Sequence, residues 1–325
     1  MNTPSSNHET DRRRFLQHTL GASLAVPIAF LTYGEPTPTR SKPIEPMEDG
    51  MSTETWFRIS LAQWSLHRML RAGELDPMDF PAYTREKFGL NAVEYVNSFY
   101  GDRVDDASFP AELRKRAEDA GVESLLIMVD GAGPLGAPDQ ATREQAVANH
   151  RKWLDIAKAI GCHSIRVNAV SEGSPDEQLA LCAAGMTSLL VHADALEMNV
   201  LIENHGGNSS NGAWLSSLMR TVDNPRFGTL PDFGNFMLDW NTKEQYDRYL
   251  GMTELMPYAK AVSAKSHAFD EQGDETGTDY ERTLGIVKDA GYRGWIGVEY
   301  EGNAHEEIRG VEYTRDLLLR HGGSC

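Results

Sequence analysis

The stretch Ala195-Leu196-Glu197-Met198-Asn199-Val200-Leu201-Ile202-Glu203-Asn204-His205-Gly206-Gly207 leads from a helix into a strand and out into a polar turn. Asp176–Met198 has a helical pattern, Asn199 follows it, and Val200–Asn204 is a short β-type run. The same order recurs along the chain. Gly or Asn closes several helices just before the next strand, as in Ala120-Gly121, Ile160-Gly161, Met198-Asn199 and Ala290-Gly291. Glycine reaches positive φ without a Cβ clash, which is the chemistry a helix C-terminus needs.

Working outward, the candidate strands are Arg58–Ser65, Ala92–Val96, Glu123–Val129, Ser164–Asn168, Val200–Asn204, Phe227–Asp232, Ala261–Ser266 and Trp295–Tyr300. Helical patterns lie between them at Pro110–Ala120, Thr142–Ile160, Asp176–Met198, Ala213–Val222, Lys243–Tyr258 and Asp279–Ala290, with Ala304–Arg320 last. Strict alternation demands a parallel sheet. Eight units favour closure, so the expected fold is α/β: a single-domain (βα)8 TIM barrel over residues 56–325. No G-x-G-x-x-G follows the first strand, which weakens a dinucleotide-binding reading.

The 325 residues carry 31 Lys and Arg against 48 Asp and Glu, a formal charge of −17 spread along the chain. Such a surface repels phosphate backbones, and nucleic acid is not expected as a partner. Cys162, Cys182 and Cys325 are too few and scattered for a disulfide framework.

Near the N-terminus, Thr10-Asp11-Arg12-Arg13-Arg14-Phe15-Leu16 precedes an apolar run from Leu20 to Tyr33. The run is too short to span a bilayer comfortably and fits a signal h-region. The segment resembles a twin-arginine export signal, placed at 1–34, with a Pro-, Thr- and acid-rich flexible linker at 35–55. This implies a periplasmic or otherwise exported protein, carried across the membrane folded. No clean A-x-A site precedes the linker, so a membrane tether stays open.

Active-site residues of such barrels come from the C-terminal ends of strands. Here the later strand ends are Glu203-Asn204-His205, Asp232-Phe233-Gly234-Asn235, Lys265-Ser266-His267 and Glu299-Tyr300-Glu301. Neighbouring strands lie about 4.8 Å apart, so three carboxylates and a nitrogen from the seventh strand can converge. Carboxylates crowded there lose solvation and repel one another, and a divalent cation removes that cost. Oxygen-rich ligation with one imidazole suits Mn²⁺ first or Mg²⁺, with Co²⁺ and Zn²⁺ as alternatives. An acid after a strand is also commonly a helix cap, and Asp232 could be one. Glu94 and Asn97 end the second strand and Asn168 the fourth; they could bind sugar hydroxyls or cap turns. Trp64 and His67, near the first strand end, could wall a sugar ring, and His67 could equally be an ordinary loop histidine.

From about Ile59 onward the chain resembles the xylose-isomerase-like TIM-barrel superfamily, the sugar phosphate isomerase/epimerase group. The resemblance rests on Leu61-Ala62-Gln63-Trp64-Ser65-Leu66, Val93-Glu94-Tyr95, Ile202-Glu203-Asn204-His205, Asp232-Phe233-Gly234-Asn235 and Gly297-Val298-Glu299-Tyr300. It implies metal carboxylates at Glu203, Asp232 and Glu299, with His267 as the fourth ligand. Lys265 lies two residues before His267 and is expected to share its face. A protonated lysine is a poor ligand. Lys265 is read as a substrate contact, and at the ligand position it would replace the imidazole or act as acid or base itself. His205 is read as a contact to a substrate hydroxyl, with a structural role as the alternative. Dimers and tetramers are common in the superfamily, so a homo-oligomer is open.

The resemblance further implies that Glu203 and Glu299 move a proton at a carbon beside a carbonyl, through a metal-stabilised enediolate. The function expected is therefore a sugar isomerase or epimerase. With no Gly-rich phosphate cradle or basic cluster, and an export signal, an unphosphorylated sugar or keto-sugar is the expected substrate. The same abstraction could expel a leaving group, giving a lyase or dehydratase acting on keto-sugars or 3-keto-glycosides. A non-catalytic sugar-binding barrel is the remaining rival. An apurinic-type endonuclease shares the barrel but needs more histidine ligands and a basic groove.

Overall fold

Parallel strands alternate with helices throughout the computed structural model, which describes residues 55–323. The expected export signal at 1–34 and almost all of the 35–55 linker lie outside the described residues. The elements are β1 Arg58–Ala62, α1 His67–Ala72, α2 Phe80–Phe88, β2 Ala92–Val96, α3 Phe109–Asp119, β3 Glu123–Met128, α4 Gln140–Ile160 and β4 Ser164–Val167. They continue with α5 Pro175–Leu196, β5 Asn199–Glu203, α6 Gly212–Val222, β6 Phe227–Leu230, β7 Met237–Asp239 and β8 Glu244–Gln245. The last are α7 Arg248–Leu255, β9 Val262–Ser266, α8 Tyr280–Asp289, β10 Trp295–Tyr300 and α9 Glu307–Gly322.

Eight strands form one parallel sheet in the order β6-β5-β4-β3-β2-β1-β10-β9. The ladder is not continuous around the circle. Its edge strands β6 and β9 meet through two isolated parallel bridges, Thr229 to Ala259 and Asp232 to Ser263. Backbone hydrogen bonds from Lys260 to Thr229, Ser263 to Pro231 and Phe233 to Ser263, at 3.0, 2.9 and 3.0 Å, span the same seam. The curled parallel sheet and its helices agree with the expected α/β barrel, but the expected closure is incomplete: β6 and β9 remain edge strands joined only by these bridges.

Two larger apolar clusters, beside a third of Ala92, Leu125 and Trp295, follow from the alternation of side chains across strands. The large one lies between sheet and helices, with Leu61, Val93, Ile127, Ile165, Val200, Ile202, Val262 and Val298 meeting helical residues such as Leu113, Leu154, Leu189 and Leu318. The small one, Ala62, Val96, Leu126, Met128, Leu201, Leu230 and Ala261, fills the barrel interior beneath Trp64 and Phe99. Between the two, helix ends are set by local chemistry. Ser174 and Glu177 form a reciprocal capping box at the start of α5. Gly161 ends α4 with φ 102°.

Two expectations change. The expected helix from Lys243 is an antiparallel hairpin, β7–β8, and α7 begins only at Arg248, where the Asp247 carboxylate accepts the Leu250 amide at 2.9 Å. Helix α5 ends at Leu196, not Met198, because Glu197 takes the left-handed turn at φ 55° and Asn199 already opens β5.

The ends of β9 and β10 touch through backbone. A Cβ added at Gly302 would fall on the His267 carbonyl, a partner that has no rotamer to yield. Gly302→Ala is expected to cost about 1–3 kcal/mol by overpacking, seen as a lower urea midpoint at unchanged slope. An unchanged midpoint would show that this contact does not hold the two strand ends.

Candidate active site

Glu203 ends β5, Asp232 lies two residues beyond β6, and Glu299 is in β10. Their carboxylate oxygens converge within 4.8 Å of one another, and all three residues are buried, forming an acidic triad that could hold a metal. Local sequence explains each placement. Asp232 Oδ1 accepts the Gly234 and Asn235 amides at 2.7 and 2.8 Å, so Asp232 closes its own turn and leaves Oδ2 without a hydrogen-bond partner. Asn204, fully buried, clips the two strand ends together: its side chain donates to the Asp232 and Asn235 carbonyls and accepts the Asp232 amide. Asn235 in turn donates to Glu203 Oε1 at 3.0 Å.

The seventh-strand position next to this triad belongs to Lys265. Its ammonium lies 2.8 Å from Glu299 Oε1, 3.1 Å from Glu301 Oε2 and 3.8 Å from Asp232 Oδ2, with 2% of the side chain exposed. Ser263, one inward position earlier on β9, donates to the other Glu299 oxygen at 2.7 Å. Gly234 is required beside this lysine, since a Cβ there would approach Lys265 Cγ to 2.9 Å. His267 does not join the triad. Strand alternation stops at Ser266, and His267, an exposed residue, turns into a loop where its amide meets the Glu275 carboxylate at 3.2 Å. The expected common face for Lys265 and His267 therefore breaks at the strand end. A four-ligand site with one imidazole does not fit these residues: the carboxylates suit a divalent ion, but an ammonium stands where the fourth ligand was expected.

A second cation sits opposite. Arg166, buried within β4, places Nε 2.9 Å from Glu203 Oε2 and donates to Asp130 at 2.6 Å. Asn168 donates to the same Asp130 oxygen at 2.7 Å, and His205 Nδ1 lies 3.1 Å from Asn168 Oδ1. This chain runs from the interior to the exposed rim. Arg166 and Asp130 were not among the residues singled out from sequence; a charged residue inside the β-type run Ser164–Asn168 was the available signal. Glu301 also belongs to the site, bonded to Lys265 and accepting the Trp64 indole N–H at 2.8 Å. Trp64 is half-buried at the mouth beside Phe99, with ring centroids 6.1 Å apart, and His67 stacks on it at 4.9 Å. His67 Nδ1 is 2.7 Å from the Trp64 carbonyl and 3.4 Å from Glu307, so it braces the turn. Asn97 exchanges two hydrogen bonds with the Asp130 backbone and positions that residue.

The electrostatics separate the carboxyls. Burial alone would raise Glu203, but Arg166, His205 and Lys265 outweigh it and hold its pKa below the usual value, leaving an ionised base. Asp232 is pushed up to about 8, mainly by burial, with Lys265 opposing and Glu203 and Glu299 adding to the rise. Burial lowers Lys265, and the carboxylates of Glu299, Asp232, Glu203 and Glu301 reverse that and hold it well above its usual value. Glu94 lies deeper, bonded by the Ser60 hydroxyl at 2.7 Å, with its other oxygen unpartnered. Its carboxyl packs against Gly297, where a Cβ would come within 2.6 Å.

Glu94 gives a pH signature. Burial raises its pKa to about 8, with the Ser60 bond opposing. The raised folded value means its stabilisation is complete below the unfolded pKa, near 4.5, and is lost as pH climbs toward 8. Wild-type stability is expected to fall over that window, and to fall less in Glu94→Gln, measured as Tm against pH. Parallel slopes in the two proteins would contradict a buried, protonated Glu94.

A sequence profile of the family described as xylose isomerase-like TIM barrel matches residues 85–318. Among solved structures, a D-psicose 3-epimerase determined in the presence of D-fructose is 14% identical, covering 82% of this chain and 100% of its own, with TM-score 0.59. An L-ribulose 3-epimerase is 14% identical over 82% of this chain and 94% of its own, with TM-score 0.63. The apo 3-keto-D-glucoside 4-epimerase from E. coli is 14% identical over 82% and 99%, with TM-score 0.57. At such identities the likeness is one of fold. No curated protein sequence matches. Profile and fold agree, and the chain belongs to the xylose isomerase-like TIM barrel family.

Proposed function

We propose that this protein is an isomerase or epimerase of an unphosphorylated sugar or keto-sugar, acting by proton transfer at a carbon beside a carbonyl. The observation that carries the reading is the convergence of Glu203 from β5 and Glu299 from β10 in one buried cluster, each carboxylate beside its own cation. Ionised Glu203 takes the proton: the C–H bond breaks, its electrons form the C=C of an enediolate, and the carbonyl π pair moves onto oxygen. Reprotonation of the same carbon from the Glu299 side, with the Lys265 ammonium supplying the proton through Glu299, inverts it. Return of the Glu203 proton to the neighbouring carbon, as the hydroxyl proton of the first carbon passes to the enediolate oxygen, isomerises the sugar. Lys265 and Arg166 supply positive charge beside the oxygen where negative charge develops. An oxygen-only triad would favour Mn²⁺ or Mg²⁺ over Zn²⁺, and the ammonium already among its oxygens is the competitor such an ion meets.

The rim supports a neutral substrate. Asp130 and Glu301, each about 36% exposed, border the mouth, and a phosphate group would meet their repulsion. His205, Asn168 and Trp64 stand at the same rim and are proposed to contact sugar hydroxyls and the ring face. The structural neighbours named above are, by name, epimerases of ketoses and of a keto-glucoside, the substrate classes proposed here. Export by the twin-arginine route, proposed from Arg12-Arg13 and the apolar run after them, places such sugars within reach.

A non-catalytic sugar-binding barrel is the second reading, favoured by one fact: the triad residues and Lys265 are almost fully buried beneath the rim. Incubation with D-fructose, L-ribulose, D-tagatose and a 3-keto-glucoside in D₂O, followed by proton NMR, separates the readings. Deuterium is expected beside the carbonyl of at least one, with Glu203→Gln slowing exchange about 10²–10⁴-fold. Exchange accompanied by release of a β-substituent would make the protein a lyase. Saturable sugar binding without exchange in any of them would establish the binding protein.

A further inference from the structure

The metal expected from the sequence and the lysine found in the structure compete for one place. The triad oxygens lie within 4.8 Å of one another, so the point between them is where a divalent ion would be ligated. Lys265 Nζ already stands beside that point, hydrogen-bonded to Glu299 at 2.8 Å and within ion-pair distance of Asp232 at 3.8 Å. We propose that Lys265 is a built-in cation that takes over the place and the charge-balancing role of a divalent metal, so that this barrel works without one.

Several independent features hold the ammonium there. The lysine is central on the inward face of β9, paired in register with Glu299 of β10. The strand's backbone is clamped from outside by the Tyr280 hydroxyl, whose single proton is shared between the carbonyls of Ala264 and Lys265, each 3.0 Å away. On the inside, Gly234 leaves room for the lysine stem and Ser263 holds the far oxygen of Glu299. Glu301 adds a fourth carboxylate at 3.1 Å. A side chain 2% exposed has no solvent to retreat to, and an ammonium has no lone pair to offer a metal. A divalent ion entering the triad would face a like charge a few ångströms away in a water-poor interior, where such repulsion is strong. The expected imidazole of His267 thus lies beyond the strand end, while the ammonium of Lys265 stands beside the triad.

This assignment of an ammonium to the family's cation position rests on the proton-transfer reading only for its catalytic half. The binding test stands alone. Purified wild-type protein, Lys265→His and Lys265→Ala are titrated with MnCl₂ alone, by calorimetry and by the electron paramagnetic resonance of free Mn²⁺, with circular dichroism confirming the fold. Wild type is expected to take up no stoichiometric Mn²⁺. Lys265→His, which restores an imidazole beside three carboxylates, should bind one ion roughly a hundredfold tighter or better, as expected when a ligand replaces a nearby like charge. Lys265→Ala leaves the carboxylates uncompensated, so added Mn²⁺ should raise its Tm while leaving that of wild type unchanged. Stoichiometric Mn²⁺ in wild type, abolished by Glu203→Gln, would overturn the proposal. So would a folded Lys265→His that gains no affinity. Should a sugar undergo exchange, the rate in wild type is expected to survive EDTA, and loss of exchange on chelation would overturn the catalytic half. Absence of exchange altogether would count against the enzyme reading and leave the metal-binding result to decide the role of Lys265.

Discussion

Six carboxyl groups, of Glu94, Asp130, Glu203, Asp232, Glu299 and Glu301, gather in and above the interior of this barrel, and among the described residues only the side chains of Arg166 and Lys265 bring fixed positive charge among them. Charges held away from water must be paired or neutralised, and the arrangement uses both routes. Arg166 takes Glu203 and Asp130. Lys265 takes Glu299 and Glu301 and leans toward Asp232. Glu94, with a hydroxyl as its only hydrogen-bond partner, holds its proton to about pH 8. Local backbone detail follows from this packing of charge: Gly234 and Gly297 are small where the Lys265 stem and the Glu94 carboxyl press closest.

The lysine also lies at the seam of the barrel. Strands β6 and β9 share no continuous ladder, and one of their two bridges joins Asp232 to Ser263. Asp232 and Lys265 therefore face each other across the place where backbone pairing is thinnest. Lys265 keeps Glu299 and Glu301 as closer partners, whereas Asp232 without Lys265 would be a buried carboxyl with no positive charge beside it, a costly state. The same contact ties the seam to the site, so stability and chemistry share residues here. The exposed end of the network, from Asn168 to His205, offers the polar contacts from which a sugar could be recognised.

Much of the fold was legible because the strand runs are short, apolar and spaced by long amphipathic segments. All eight strands lie where the β-type runs stand, within a few residues at their ends. The hairpin at Met237–Gln245 was hidden because it pairs only a few residues, half-buried in β7 and exposed in β8, and its sequence merges into the helix that follows. The triad was legible from acids at corresponding strand ends. Lys265 against His267 was not decidable by spacing, since two residues apart means one face only while the strand lasts, and β9 stops between them. Arg166 and Asp130 escaped notice because a lone charge in a strand gives no sign of its partner on the next one.

The most direct test of the central claim is a crystal structure of the wild-type protein soaked in MnCl₂, with anomalous data collected to locate manganese. The account predicts no anomalous peak among Glu203, Asp232 and Glu299, and the Lys265 ammonium in contact with Glu299. A manganese peak bound by the three carboxylates, with Lys265 swung out of the barrel, would contradict it.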